Sequence, residues 1–258
     1  MSHTWSMPAG SRDRWPEDYE RGRPGWPVGV VDRPGIPATA TVLDLGAGTG
    51  KLTRLLVGAF ARALAVEPSR EMRRVLAQVC PDAEALEGTA YNIPVADGSV
   101  DAVFAAQAFH WFDDERALAE IVRVLRPAGW LVVMWNEPGG AFEPSVGEAE
   151  RLLNEHVPPG FHGYDPLDLG SPRYASGDWR AGLERLPLEP LQEARLPNLQ
   201  TLDRDGLVAF YASMGWLADL PDKERLPLLD QVRSLLDADK YQRLWETHLH
   251  WTRLTNAR

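Results

Sequence analysis

Residues 42–56 read VLDLGAGTGKLTRLL, a short apolar run, a turn with three glycines and then apolar residues at helical spacing. The run predicts a buried β-strand, and Leu52, Leu55 and Leu56 would share one face of a helix over 51–61. Glycine adopts positive φ without strain, so its repetition predicts a tight turn that a ligand can approach closely. The chain is therefore expected to open its core with strand, turn and helix.

The same pattern recurs downstream. Apolar strand segments occupy residues 41–45, 62–67, 83–88, 101–108 and 130–135. Ser69 and Asp113 are predicted to cap the helices that follow the second and fourth strands, and the second of these helices is expected to stop at 126–129. Strands that alternate with helices predict a parallel, doubly wound α/β sheet with right-handed crossovers.

The flanking regions lack this regular alternation. Residues 1–37 predict an extended arm with at most a short helix, and 137–182 an irregular lid or binding wall. Further predictions are a short helix near 146–153, a sheet-like segment at 186–198, helices near 203–217 and 221–238, and an alternating strand around 244–251 that pairs back onto the sheet.

Composition excludes several classes of protein. The 258 residues are 44% hydrophobic and 25% charged, as in folded globular chains, and the net charge of −10 disfavours a nucleic-acid partner. Cys80 is the single cysteine, so no internal disulfide or multi-thiolate metal site can form, and we expect no metal. No apolar run is long enough to cross a membrane and no signal peptide is evident, so we expect a cytoplasmic protein without a membrane partner.

Spacing tests two familiar nucleotide-binding loops against the glycine turn. A phosphate loop, G-x-x-x-x-G-K-[ST], needs glycine where this chain has Leu45 and a hydroxyl where it has Leu52. The dinucleotide motif G-x-G-x-x-G needs its third glycine where this chain has Lys51. The turn therefore fits neither loop.

Acidic residues follow the first two predicted strands. The G-x-G-x-G spacing exposes backbone N–H groups at a helix start, where a ligand carboxylate can bind. Glu67 suits the two hydroxyls of an adenosine ribose, and Asp44 suits the positive end of a ligand that carries an amino acid. This set favours S-adenosylmethionine, which has a carboxylate, an ammonium, a sulfonium and a ribose but no phosphate.

Four segments resemble successive motifs of the class I S-adenosylmethionine-dependent methyltransferases. They are VLDLGAGTG, ALAVEPS, EGTAYNIPVADGSVDAVFAAQAFHWF and ALAEIVRVLRPAGWLVVMWN, and together they span most of residues 41–136. The segments DYERGRPGWP and AFHWFD are also similar to a small-molecule subgroup that includes the trans-aconitate methyltransferases. The resemblance implies methyl transfer to a small molecule, with an oxygen, nitrogen or carbon nucleophile and a carboxylate among the options.

The resemblance also implies a fold and a domain plan. The expected fold is a Rossmann-like α/β methyltransferase fold: a doubly wound, mostly parallel seven-stranded sheet with an antiparallel last strand and a helical and irregular cap. Residues 1–258 are then one domain. Its core covers about 38–136, 186–202 and 243–258, and its cap 1–37, 137–185 and 203–242.

Site residues carry over from the family motifs position by position. The resemblance places Asp44, Gly46, Ala47 and Gly48 at the methionine moiety, Glu67 at the ribose, Pro68 and Ser69 beside the adenine, Thr89 and Ala90 at the adenine amino group, Gln107 near the sulfonium, and Tyr19 and Arg23 over the cofactor. Many relatives have an acid at the position of Thr89, so the backbone of Ala90 is the alternative contact there.

The identity of a catalytic group stays open at the level of sequence. Gln107 and His110 are expected to line the reacting centre, and His110 is either a general base or part of a packed wall with Trp111. His248 and His250 share a strand face, but no further ligands support a metal there. Trp135 and Trp26 are further candidates for the pocket wall, Arg173 for a clamp, and Phe210, Tyr211, Met214 and Leu217 for an apolar helix face.

Two alternatives from other functional classes accompany this reading. One is an NAD-dependent oxidoreductase on the same fold, which Lys51 disfavours, and the other is a noncatalytic protein that binds an adenosyl ligand. The oligomeric state does not follow from the sequence.

Overall fold

The computed structural model describes residues 15–139, 146–158, 174 and 176–255. Arg173, a candidate for a clamp, lies outside this described part. Within it, no helix is both long enough and apolar enough to cross a membrane.

Among the described residues, seven strands form one mixed sheet in the order β3-β2-β1-β4-β5-β7-β6. The strands are β1 (Thr41–Leu45), β2 (Arg62–Glu67), β3 (Glu84–Glu87), β4 (Val100–Ala106), β5 (Leu125–Pro138), β6 (Gln192–Leu202) and β7 (Tyr241–Arg253). β1 pairs in parallel with both β2 and β4, while β7 runs antiparallel. The predicted mostly parallel sheet with an antiparallel last strand is confirmed.

The described helices are α1 (Trp15–Gly22), α2 (Gly29–Asp32), α3 (Thr53–Ala59), α4 (Arg70–Val79), α5 (Glu115–Val124), α6 (Gly147–Glu155), α7 (Arg180–Leu183), α8 (Arg204–Ala212), α9 (Gly215–Ala218) and α10 (Asp222–Leu235), with a 3₁₀ turn at Phe109–Trp111. The short helix predicted near 146–153 is present as α6.

The described residues divide into two compact units. The core unit draws its residues from the segments 25–136, 172–196 and 246–258, and the second unit from 1–24, 137–171 and 197–245. The predicted boundaries of core and cap stay a prediction.

Alternating side chains give the sheet of the core unit two apolar faces. Leu43 and Val103 belong to a buried cluster that includes Ile121 of α5. Their neighbours Val42 and Phe104 belong to another buried cluster, which includes residues of α2 and α3. Successive side chains of a strand point to opposite faces, so helices cover both sides of the sheet.

The second unit is built around α8, against which α1 packs. A Cβ atom on Gly22 would lie 2.1 Å from the backbone nitrogen of Phe210, so only glycine allows this approach. The indole of Trp15 donates to the Ser213 carbonyl at 3.1 Å. Phe210, Tyr211, Met214 and Leu217 are buried in the core of this unit, as expected of an apolar helix face.

The prediction of an extended arm over 1–37 with at most one short helix is wrong, because the arm contains both α1 and α2. The local signals for α1 are present in the sequence: Glu17 and Asp18 lie in its first turn and Arg21 in its last. These charges complement the helix dipole.

Two boundaries predicted around α5 need correction. Asp114, not Asp113, is the N-cap: its Oδ1 accepts from the backbone N–H groups of Arg116 and Ala117. Strand β5 begins at Leu125, not at 130. Residues 126–129, predicted as the turn that ends the helix, instead interrupt the register of β5 between its pairings with Val100 and Ala102 of β4.

The boundaries of later elements also shift. The sheet-like segment predicted at 186–198 becomes β6 at Gln192–Leu202, and Leu188 forms only an isolated bridge with Leu254. Pro197 is tolerated inside β6 because this strand lies at the sheet edge. The helix predicted over 203–217 is two helices, since α8 ends at Ala212 and α9 starts at Gly215.

Candidate active site

The glycine turn follows β1 at the carboxyl end of the sheet. Gly46 and Ala47 donate their backbone N–H groups to the Val66 carbonyl at 2.9 and 3.1 Å. These bonds tie the turn to the last residues of β2. In open α/β sheets ligands bind at this edge, outside the carboxyl ends of the strands.

All three glycines of the turn have positive φ: +75° at Gly46, +56° at Gly48 and +86° at Gly50. Their surroundings differ. A Cβ atom on Gly46 would lie 2.9 Å from the Ala108 Cβ, and one on Gly50 would lie 3.0 Å from the Leu76 Cγ. A Cβ atom on Gly48 would meet no atom within 4 Å. Gly48 therefore borders open space, whereas the other two are closely packed.

Glu67 ends β2 with a carboxylate that connects two turns. Its Oε2 accepts from the Gly48 N–H at 2.9 Å, and its Oε1 accepts from the Ser69 N–H, also at 2.9 Å. Burial raises the pKa of Glu67, and the two backbone donors offset part of that rise. The carboxylate is thus fixed beside the open space at Gly48, with lone pairs left to accept from further donors.

Asp44 lies near the end of β1 and is almost fully buried. Its Oδ2 accepts from the Thr53 hydroxyl at 2.7 Å, while its Oδ1 has no hydrogen-bond partner among the described residues. Burial raises the pKa of Asp44 to about 7, and the nearby Glu67 charge raises it further. A buried carboxylate oxygen without a donor is costly, which makes it a suitable partner for a cationic ligand group.

Pro68, Ser69, Thr89 and Ala90 belong to the loops that follow β2 and β3. The Ser69 hydroxyl caps α4 by accepting from the Met72 N–H at 3.2 Å. The Thr89 hydroxyl accepts from the Tyr91 N–H at 3.2 Å, so it serves its own loop. Ala90 is buried.

Gln107 follows β4 in a left-handed conformation, with φ of +53°. Its Oε1 accepts from the Asn136 backbone N–H at 2.9 Å, and its own N–H donates to the Met134 carbonyl at 2.8 Å. Both bonds join the carboxyl ends of β4 and β5. The strain of a non-glycine residue at this φ is offset by these contacts.

His110 accepts a hydrogen bond at Nδ1 from the indole N–H of Trp135, at 3.2 Å. An indole N–H can only donate, so the proton of neutral His110 lies on Nε2. In this tautomer Nε2 is a donor, which does not suit a general base at that atom. Trp135 is buried, Trp26 packs partly buried in the core unit, and Trp111 is 54% exposed.

Tyr19 and Arg23 lie in the second unit. Arg23 donates through Nε to the Ser213 hydroxyl at 2.8 Å and through Nη2 to the Ser213 carbonyl at 3.1 Å. Their expected place over the cofactor stays a prediction.

Three residues that the sequence pattern does not single out contact the strands or the loops that follow them. Arg73 donates to the carbonyls of Glu67 and Pro68 at 2.7 and 2.8 Å and so fixes the loop after β2. Asn136 connects β5 to Thr247 of β7 through a side-chain hydrogen bond of 2.5 Å. Tyr174 contacts both His248 and His250. An arginine six residues after a strand-end acid is a usable signal, but the other contacts join distant segments.

These observations fit S-adenosylmethionine. Asp44 Oδ1 offers an acceptor for its ammonium group, Glu67 for its ribose hydroxyls, and Gly48 borders the open space that the ligand needs. Among the described residues, no group of three His, Cys, Asp or Glu side chains is arranged to hold a metal.

Comparison with known proteins agrees with this geometry. Residues 43–133 match the model of a methyltransferase domain family. A methyltransferase of Mycobacterium tuberculosis without an assigned role is 52% identical over 221 residues, which cover 84% of this chain and 82% of that protein. A trans-aconitate 2-methyltransferase of Azoarcus is 37% identical over 129 residues, or 49% of this chain and 48% of that protein.

A solved structure shares the fold. It is that of a proposed type II methyltransferase from Anaeromyxobacter dehalogenans, which matches with a TM-score of 0.63 and 23% identity over 91% of this chain and 99% of that one. The sheet order, the acid-flanked glycine turn and the extensive match to the mycobacterial protein lead to one conclusion. The chain belongs to the class I S-adenosylmethionine-dependent methyltransferases.

Proposed function

We propose that this enzyme methylates a small-molecule acceptor by in-line displacement, with the cofactor held at the glycine turn. The observation that carries the cofactor assignment is the Glu67 carboxylate, which accepts from two turns beside the open space at Gly48. The net charge of −10 and the similarity to a trans-aconitate 2-methyltransferase favour a small acceptor over a nucleic acid.

When bound, S-adenosylmethionine supplies an electrophilic methyl group on a sulfonium. Asp44 holds its ammonium group and Glu67 its ribose, while Pro68, Ser69, Thr89 and Ala90 flank the adenine. Gln107 would position the end of β4 near the sulfonium, and the Nε2–H of His110 would be a hydrogen-bond donor for the methyl acceptor. Catalysis by such a site rests mainly on proximity, orientation and exclusion of water.

Calorimetric titration tests the cofactor site. S-adenosylmethionine and S-adenosylhomocysteine should bind the wild type, and NAD should not. Loss of one hydrogen bond to a charged group, worth about 1.5–3 kcal/mol, should weaken binding of the adenosyl ligands by roughly 10- to 100-fold in Glu67→Ala. Glu84 is an exposed acid on the neighbouring strand β3 that pairs with Arg62, so Glu84→Ala is the matched control and should bind normally. Binding of NAD, or normal binding by Glu67→Ala, would contradict the assignment.

The acceptor class is tested by transfer of a tritiated methyl group from S-adenosylmethionine. Carboxylic acids including trans-aconitate, phenols and amines should be compared with RNA and with protein. We expect label only in small molecules, and transfer to RNA or protein alone would refute the proposal. The cytoplasmic location stays a prediction.

A further inference from the structure

A row of hydrogen-bonded side chains, Glu246, His248, Tyr174 and His250, lies beside the rings of Trp135 and Trp179. None of the four is assigned to the cofactor. His248 Nε2 lies 2.6 Å from Glu246 Oε1, and His248 Nδ1 contacts the Tyr174 hydroxyl. The same hydroxyl lies 3.2 Å from His250 Nε2. A phenol is thus held between two imidazoles, one of which is bound to a carboxylate.

The partners determine where each proton lies. Glu246 Oε1 also pairs with Arg195 at 3.2 Å, so it serves as an acceptor and receives the Nε2 proton of His248. His248 Nδ1 is then bare and accepts the Tyr174 O–H. Since that proton is already used, His250 donates its Nε2–H to the phenol oxygen. His250 Nδ1 has no hydrogen bond among the described residues, which agrees with this tautomer.

His250 is suited to remain neutral in this arrangement. Burial lowers its pKa to about 3, with help from the charges of Arg180, His248 and Arg195. Among the described residues, the Glu193 carboxylate, 3.7 Å from Nδ1, also faces it. A neutral imidazole that donates from Nε2 stabilises negative charge on the Tyr174 oxygen.

This row of side chains reaches the same edge of the sheet as the candidate active site. Thr247 donates to Asn136 Oδ1, and the Asn136 N–H donates to Gln107 Oε1, so residue 247 lies at the carboxyl ends of β4 and β5. Tyr174 packs on Trp135, with 4.5 Å between the ring centroids, and Trp135 donates to His110.

We propose that Tyr174, backed by His248 and Glu246, removes a proton from the methyl acceptor, and that the natural acceptor is therefore a neutral hydroxyl compound such as a phenol or enol. This inference rests on the proposed function. A carboxylic acid is already ionised near neutral pH and offers no proton to remove. The ring of Tyr174, which is only partly buried, also suits a flat acceptor.

The proton and electron balance is complete. The acceptor O–H proton passes to the Tyr174 oxygen as the Tyr174 proton passes to His248 Nδ1, which leaves an imidazolium paired with Glu246. The acceptor oxygen forms a bond to the methyl carbon as the carbon–sulfur bond breaks, and the electron pair of that bond stays on sulfur. His248 then returns the proton to solvent.

Kinetics of Tyr174→Phe and His248→Gln test the proposal, with Tyr241→Phe and His156→Gln as matched controls. Tyr241 and His156 belong to the second unit and are not members of this group of side chains. With a neutral phenol as acceptor, the first two variants should lose at least roughly 100-fold in kcat, the usual range for general base catalysis, and the controls should not. A nitrophenol that is already ionised at the assay pH should be methylated by Tyr174→Phe at nearly the wild-type rate. An equal loss with both phenols, or transfer to carboxylates alone, would overturn the proposal.

A second readout needs no acceptor. In ¹⁵N-labelled enzyme, NMR should show the ring proton of both His248 and His250 on Nε2, with a shift at His248 Nδ1 in Tyr174→Phe. A proton on Nδ1 of His248 would overturn the proposed proton relay from the acceptor through Tyr174 to His248, even where no compound in the panel is methylated. Binding of S-adenosylhomocysteine by each variant separates the two proposals: its absence in the wild type counts against the cofactor site and not against the relay.

Discussion

At the scale of single residues, Asp44 should make the stability of the protein depend on pH. Its carboxyl group is buried with one oxygen unpartnered among the described residues, and its pKa rises from the ordinary 3.8 to about 7. Between these two values the folded protein holds a proton that the unfolded chain has lost. The free energy of unfolding must therefore fall as the pH rises through this window.

Asp44→Asn removes this proton linkage. The rise in the pKa of Asp44, from 3.8 to about 7, corresponds to about 4 kcal/mol in the free energy of unfolding. About 2–3 kcal/mol of this is lost between pH 5 and pH 8. Urea unfolding of the ligand-free protein should show that loss in the wild type and less of it in Asp44→Asn. Asp82→Asn, on the surface, should behave like the wild type. Parallel pH curves for the wild type and Asp44→Asn would contradict the raised pKa.

The glycine turn is an element whose three positions can be separated by experiment. Gly48→Ala places a methyl group in open space. The alanine must keep the left-handed backbone conformation, which lowers the free energy of unfolding by about 1–2 kcal/mol. We expect modest destabilisation but a loss of at least ~10-fold in S-adenosylhomocysteine affinity, about 1.4 kcal/mol, measured by calorimetry. The added methyl group would occupy the space that the ligand needs.

Gly98→Ala is the matched control for this turn. Gly98 has the same φ of +56° and the same open surroundings, so its substitution should cost similar stability and leave binding intact. Gly46→Ala should be the least stable of the three because its Cβ would clash with Ala108. Unchanged affinity in Gly48→Ala would place the ligand elsewhere.

The start of α5 offers a second test of an element. Asp114→Ala removes a side chain that accepts two backbone N–H groups and should lower the free energy of unfolding by about 1 kcal/mol. Asp114→Asn keeps a capping oxygen and should lose far less. Equal denaturation midpoints for the two variants would show that the cap contributes nothing.

How far the sequence predicts each element depends on whether local residues decide it. The strands that precede the glycine turn and Ser69, with the helices that follow, rest on local apolar spacing and caps, and they are present. The sequence predicts the wrong cap for α5 because Asp113 and Asp114 are adjacent and either aspartate can cap a helix. The bulge at 126–129 depends on pairing with β4, which no local pattern reveals.

At the scale of the whole molecule, ligand binding should appear as stability. A ligand at 100 times its dissociation constant adds about 2.7 kcal/mol to the free energy of unfolding. For a chain of this size that corresponds to a rise of roughly 5–10 °C in melting temperature. Calorimetric scans should show this shift with S-adenosylhomocysteine and not with NAD. Because Glu67→Ala should weaken binding by roughly 10- to 100-fold, the same ligand concentration should add only about 0.4–1.4 kcal/mol in that variant, and a shift as large as that of the wild type would exclude Glu67 from the site.

The sequence could predict the mostly parallel sheet with its antiparallel last strand, and the glycine turn, because family motifs carry both; the strand order comes from the structure. The relay at Tyr174 could not be predicted, since its members come from residue 174 and from 246–250 and meet only in the folded core unit. The histidine pair was noticed as a possible metal site, but the phenol between the two imidazoles depends on tertiary structure.

The position of β7 sets the order in which the sheet can be completed during synthesis. β7 lies between β5 and β6, so β6 has no neighbour in the sheet until residues 241–253 have left the ribosome. The nascent chain must therefore keep β6 and the exposed edge of β5 unpaired while some forty further residues are made. In this period the growing polypeptide offers two open strand edges, and that interval is where chaperones would be most needed.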